Sequence, residues 1–154
     1  GKSKLFGERE VLRNPEGIVV RTSWLFGEYR ENFVKRIIDK GKKERILRVV
    51  KDQKGSPTYT KDLSQALYFL WKKGEKGLFH FCNKGIFSRY EFVKKIIEIK
   101  KIQTELRAIF SKDYGQGANR PCFSALDTFL IEKKLGYKIR KVEEALTEYL
   151  KNLE

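Results

Sequence analysis

The run GIVVRTSWLFG, residues 17–27, constrains the fold more than any other stretch of the chain. Ile18, Val19 and Val20 are consecutive β-branched residues with a glycine on either side of the run. A strand with one wet face alternates apolar and polar residues. A continuous apolar run marks a strand covered on both faces, the condition of a parallel strand lying under helices. Parallel strands need crossover connections, so such a strand predicts helices between itself and its partners.

The flanking sequence supplies them. GKSKLFGE reads as part of an amphipathic helix. NFVKRIIDKGKK places Phe33, Val34, Ile37 and Ile38 on one helical face, with Gly41 as the stop signal. RILRVV is a second short strand, and DQKGSPT is a loop by its Gly and Pro. TKDLSQALYFLWKKG predicts a helix capped by Thr60, with Asp62 in its first turn and Leu63, Leu67, Leu70 and Trp71 along its inner face. GLFHFCN is a third strand. Ser88 and Glu91 stand in capping-box spacing before Phe92, Ile96 and Ile97. ELRAIF is a strand, and SALDTFLIEKKLG is a short helix closed by Gly136. The last helix, KVEEALTEYLKNL, turns Val142, Ala145, Leu146, Tyr149 and Leu150 inward. Helices alternating with short strands define an α/β architecture. No internal repeat is visible. Gly115 and Gly117 form GxG but no GxGxxG unit, and that segment reads as a loop.

Composition narrows the classes of function. The 154 residues carry a net charge of +14, with 35% charged and 40% hydrophobic residues. This composition belongs to a folded chain and excludes disorder. A basic stripe for nucleic acid is one reading of the charge. The distribution favours the other, a solvated Lys- and Glu-rich surface, because the basic residues are spread over every element and interleaved with acids. No apolar run reaches the length of a membrane span, and a cytoplasmic location is expected. Cys82 and Cys122 lack zinc-type spacing. His80 and Cys82 share a strand face, but two ligands are too few for a metal centre, so packing is the expected role and no metal is expected.

GKSKLFGE followed by VVRTSWLFG resembles the extended short-chain dehydrogenase/reductases. Their catalytic motif is Y-G-x-[ST]-K-x-x-[GA]-E on a helix, and Gly1, Ser3, Lys4, Gly7 and Glu8 match it. The tyrosine would stand immediately before Gly1. Residues four apart share a helix face, so the lysine ammonium would lower the phenol's pKa and help hold the cofactor ribose. The further blocks NFVKRII, VVKDQKGSPTYTKDLSQAL, GLFHFCNKG, FSRYEFVKKI, NRPCFSALD and EEALTEYL occur in order. Together they resemble the dTDP-4-dehydrorhamnose reductase family, over nearly the whole chain.

The resemblance implies the C-terminal part of a Rossmann-like NAD(P)-binding fold with its small substrate lobe. Residues 1–27 and 61–83 would belong to the Rossmann lobe, and residues 28–60 and 84–154 to the substrate lobe. It implies NADPH or NADH as cofactor, a dTDP-sugar as substrate, an N-terminal Rossmann half as partner, and possible homodimers. Lys4 would be catalytic. Thr22 and Ser23 would flank the nicotinamide. Trp24 would pack on the sugar, its alternative being a core aromatic. Asn32, Gln53, Pro57 and Thr58 would contact substrate, their alternatives being N-capping and turn chemistry. Arg120 would grip the pyrophosphate. Lys61 stands where some members carry a magnesium-binding acid. Without the glycine-rich turn, these residues alone are expected to be inactive. Two other readings stay open: a non-enzymatic subunit of the methionine adenosyltransferase β type, and a basic nucleic-acid-binding domain.

Overall fold

A computed structural model describes residues 1–114 and 120–153. The expected loop at 115–119 lies outside them. The element order is α1 (Lys2–Arg13), β1 (Ile18–Arg21), β2 (Leu25–Phe26), α2 (Phe33–Lys43), β3 (Ile46–Val50), β4 (Lys54–Gly55), β5 (Thr58–Tyr59) and α3 (Thr60–Lys72). There follow β6 (Gly77–His80), β7 (Phe87–Ser88), α4 (Arg89–Lys100), β8 (Glu105–Ile109), a 3-10 turn at Ser111–Asp113, β9 (Phe123–Ser124), α5 (Phe129–Leu135) and α6 (Val142–Lys151).

The strands pair mostly in parallel: β1 with β6, β2 with β5, β3 with β8, and β4 with β9. The β4–β7 pair is antiparallel. This is the α/β class that the Gly17–Gly27 run implied. The run itself is two strands. β1 ends at Arg21, and Trp24 turns the chain with φ of 48° before β2 begins at Leu25. Non-glycine residues seldom occupy this left-handed region, so the turn is held by its surroundings.

Two apolar cores form. The larger joins α2, α4 and α6 over β2, β3 and β5. At its centre Phe26 stacks on Tyr59 at 5.4 Å between ring centroids, and Tyr149 leans against both. The smaller joins α3 and α5 to β1 and β6 through Ala66, Leu70, Phe79, Phe81, Ile131 and Leu135. Asn83, fully buried, ties the segment before α3 to the end of β6. Its side-chain oxygen accepts the Tyr59 N–H at 2.8 Å, its amide donates to Asp62 at 2.6 Å, and its own N–H reaches the Pro57 carbonyl.

Three local expectations need correction. Gly41 does not stop α2, which runs on to Lys43. It is buried, and a Cβ there would lie 3.1 Å from both Ile97 and Ile102, so the glycine lets α2 and α4 approach closely. Thr60 is the first residue of α3 rather than its cap; Tyr59 holds the cap position without a side-chain bond. The inner face of α3 is Leu63, Ala66 and Leu70, whereas Leu67 and Trp71 are exposed. By contrast, α4 carries the full Ser88–Glu91 capping box, and the five expected residues of α6 are buried. No helix is long and apolar enough to cross a membrane among the described residues.

Candidate active site

The candidate site lies where β1 gives out, the position at which open parallel sheets meet ligands. Here the chain crosses from the smaller core to the larger, and each residue of the crossing is tied to the 56–58 segment. Thr22 Oγ1 donates to Thr58 Oγ1 at 3.1 Å, Ser23 Oγ donates to the Ser56 carbonyl at 2.6 Å, and the Trp24 carbonyl accepts the Thr58 N–H at 3.2 Å. Thr58 is fully buried. The loop therefore sets the direction of Trp24 through three bonds.

The indole lies flat on Gly55. A Cβ at that position would fall 2.7 Å from Trp24 Cε2, too close for any real side chain, so glycine there is a requirement of the indole's position. Above the ring stands Arg89, the first residue of α4, with its guanidinium carbon 3.6 Å from the Trp24 centroid and 4.9 Å from that of Phe33. The ring's negative face attracts the cation. Burial, and then the like charge of Arg120, pull the Arg89 guanidinium down to about 10.

Trp24, Asn32, Gln53, Arg89 and Arg120 line one groove of about 1300 Å³, which continues along α2, β3 and β8 past Arg36, Lys40, Arg48 and Arg107. Half-apolar walls with convergent polar groups suit a small polar ligand, and the excess of cations suits an anionic one. Asn32 also caps α2, accepting from Val34 and Lys35, while its amide donates to the Gly27 carbonyl and to Tyr149 Oη. Gln53 faces the groove, and its carbonyl accepts the Arg89 N–H. Pro57 accepts from Asn83 and stands behind the site.

Lys4 is exposed on α1. Its placement follows from Glu8, one turn along the same face, which binds Arg21 at the end of β1. Through this pair α1 is held against the end of β1. Lys61 pairs with Glu148 at 2.7 Å. No group of three metal-ligating side chains occurs among the described residues. Cys82 is buried, with burial raising its thiol pKa, and His80 ends β6.

Sequence reasoning missed Arg89 and Gly55. Arg89 left a trace: it is a cation in a helix's first turn, where the dipole favours acids.

The chain is thus a parallel-stranded α/β unit with a cationic groove at a strand's C-terminal end. The chain belongs to the RmlD substrate binding domain family, whose model matches residues 1–154. It is 40% identical over 151 residues to the spore coat polysaccharide biosynthesis protein SpsK of Bacillus subtilis, covering 97% of this chain and 53% of that protein. Among solved structures, a dTDP-4-dehydrorhamnose reductase from Clostridium acetobutylicum superposes with a TM-score of 0.94 at 37% identity, covering 99% of this chain and 55% of that one. The dTDP-4-dehydrorhamnose reductase of Bacillus anthracis, solved in complex with NADP, gives 0.92 at 33% identity, covering 100% of this chain and 55% of that one. The chain thus spans about half the length of the relatives it matches.

Proposed function

We propose that this chain is the substrate-binding half of an NAD(P)H-dependent reductase that converts dTDP-4-dehydrorhamnose to dTDP-L-rhamnose. The observation that carries the reading is the placement of Trp24. A flat apolar ring sits on a glycine floor at the end of a parallel strand, in a groove that also holds Arg89 and Arg120. With its ring covered by Gly55 and Arg89, the indole offers an edge beside a sugar, and a diphosphate presents oxygens to forked guanidinium groups.

Each residue then has a task. Arg120 holds the diphosphate and the Trp24 edge borders the sugar, with Gln53 at the groove wall. Thr22 and Ser23 close the strand end against the 56–58 loop and give the nicotinamide side of the site a fixed wall. Lys4 lies one turn from the position of the motif tyrosine. There its ammonium would lower the phenol's pKa and favour proton delivery to the sugar's carbonyl oxygen. Lys4, Thr22 and Ser23 would hold one end of a nicotinamide dinucleotide, which when bound would supply hydride to the carbonyl carbon. The site is built for a neutral ketone brought in by an anionic handle.

The test is steady-state turnover by the full-length protein. NADPH or NADH oxidation should depend on dTDP-4-dehydrorhamnose and saturate with it. Failure of both cofactors to be oxidised in its presence would remove the reductase reading.

A further inference from the structure

The Arg89 side chain is placed at a cost on three counts. It is largely withdrawn from water, it faces the like charge of Arg120, and it occupies the first turn of α4, the positive end of a helix of 12 residues. Among the described residues no carboxylate lies within ion-pair distance, and no side-chain hydrogen bond is made by its guanidinium. The other large cation of the fold, Arg140, is treated differently. It is held bidentately by Asp62 and again by Glu148. Stacking on Trp24 and Phe33 fixes the Arg89 plane while leaving the in-plane N–H donors free. A cation oriented, desolvated and left without a counter-ion is arranged for an anion that arrives with the ligand.

We propose that Arg89 is a specificity-determining contact of the sugar-nucleotide site: stacked on Trp24, it bonds the substrate diphosphate from the side opposite Arg120, so that the groove selects nucleoside diphosphates. This rests on the sugar-nucleotide reading above and adds to it a residue whose position couples the two halves of the ligand. The guanidinium that meets the phosphate is the one that orders the ring beside the sugar. Diphosphate binding therefore stiffens Trp24 in its left-handed turn.

The experiment is calorimetric titration of the full-length protein with dTDP, at several salt concentrations, for wild type, Arg89→Gln and Arg89→Lys. Loss of charge-assisted bonds should weaken dTDP about 10- to 100-fold in Arg89→Gln. It should also flatten the dependence of log Kd on log salt, since one ionic contact with the ligand is gone. Arg89→Lys should recover the salt slope but only part of the affinity, because a point charge lacks the planar fork. If Arg89→Gln weakens dTDP while the salt slope stays at the wild-type value, Arg89 merely props the indole and the proposal is overturned. A Kd within twofold of wild type overturns it as well. Absence of saturable dTDP binding by the wild type would instead strike the sugar-nucleotide reading itself, and the proposal with it.

Discussion

Glu8 on α1 accepts both arms of the Arg21 guanidinium, at 2.7 and 2.6 Å, joining the helix that carries Lys4 to the last residue of the strand that leads into Thr22, Ser23 and Trp24. Paired charge and a bidentate fork hold the Glu8 carboxyl below its ordinary range and raise the arginine. Both groups are in contact with water, so the pair matters for alignment more than for stability. Glu8→Gln should lower kcat of the full-length protein by about 10- to 100-fold through misplacement of Lys4, the scale of geometric errors near a reacting centre. KM for the sugar nucleotide should change by less than about threefold, since Arg89 and Arg120 are untouched. A rise in KM at constant kcat would show that the pair serves binding.

Gly55→Ala tests the floor under Trp24. The added methyl meets a rigid indole at 2.7 Å and is not accommodated without moving the ring. Overpacking of this kind costs about 1–3 kcal/mol, which at the substrate site becomes roughly a 10-fold or larger rise in KM for the dTDP-sugar. The cofactor KM should stay near wild type, a split visible in steady-state kinetics with each substrate varied in turn.

Much of this arrangement was legible in the residues, and the exceptions have physical reasons. The capping box of α4 and the inward face of α6 are local patterns, complete within one or two turns, and both are present. The Ile18–Val20 run signalled a parallel strand, and β1 does pair in parallel with β6, but its residues are only half-buried and Arg21 is exposed, so the expected cover on both faces is incomplete. The break of the Gly17–Gly27 run at Trp24 was invisible, since a left-handed tryptophan is held by Gly55 and Thr58, more than thirty residues away. Gly41 resembles a stop because an isolated helix would fray there; its use as a contact for α4 depends on tertiary approach. On α3 the spacing fits both Leu63–Leu67–Trp71 and Leu63–Ala66–Leu70, and the small Ala66 won because α5 packs closely there. Arg89 meets Trp24 across sixty-odd residues, beyond any local pattern.

Arg140 is the clasp between the two cores. It holds Asp62 at 2.7 and 2.8 Å and Glu148 at 2.5 Å, and Asp62 in turn holds the buried Asn83. These bonds raise its pKa further above the ordinary arginine range, Asp62 contributing most. Arg140→Leu leaves Asp62 without its cation while Glu148 keeps Lys61, so the folded state should lose about 1–3 kcal/mol. Urea unfolding should show a lower midpoint at an unchanged slope.

Glu132 gives the fold an acid-sensitive point. Burial opposes its ionisation, but the Lys84 ammonium at 2.8 Å and the Ile139 N–H at 2.8 Å outweigh it, so its pKa lies below the ordinary 4.5. A carboxyl with a lowered folded value stabilises the fold fully above that ordinary value and loses the contribution as pH falls through the folded value. Glu132→Gln should therefore cost about 1–2 kcal/mol at neutral pH, with Lys84's contact with water keeping it at the low end, and the wild-type advantage should shrink below pH 4.5. Thermal melts of both proteins across that range should converge toward acid.

Deuterium transfer tests whether Lys4 and the Trp24 groove act on one dTDP-sugar. The most direct measurement follows deuterium from nicotinamide-deuterated NADPH into product, with full-length wild type and Lys4→Met side by side. The expected product is dTDP-L-rhamnose carrying deuterium at the former carbonyl carbon, formed about 10²–10⁴-fold more slowly by the mutant, with dTDP binding by calorimetry unchanged. Unlabelled product, or a mutant that transfers label at the wild-type rate, would contradict it.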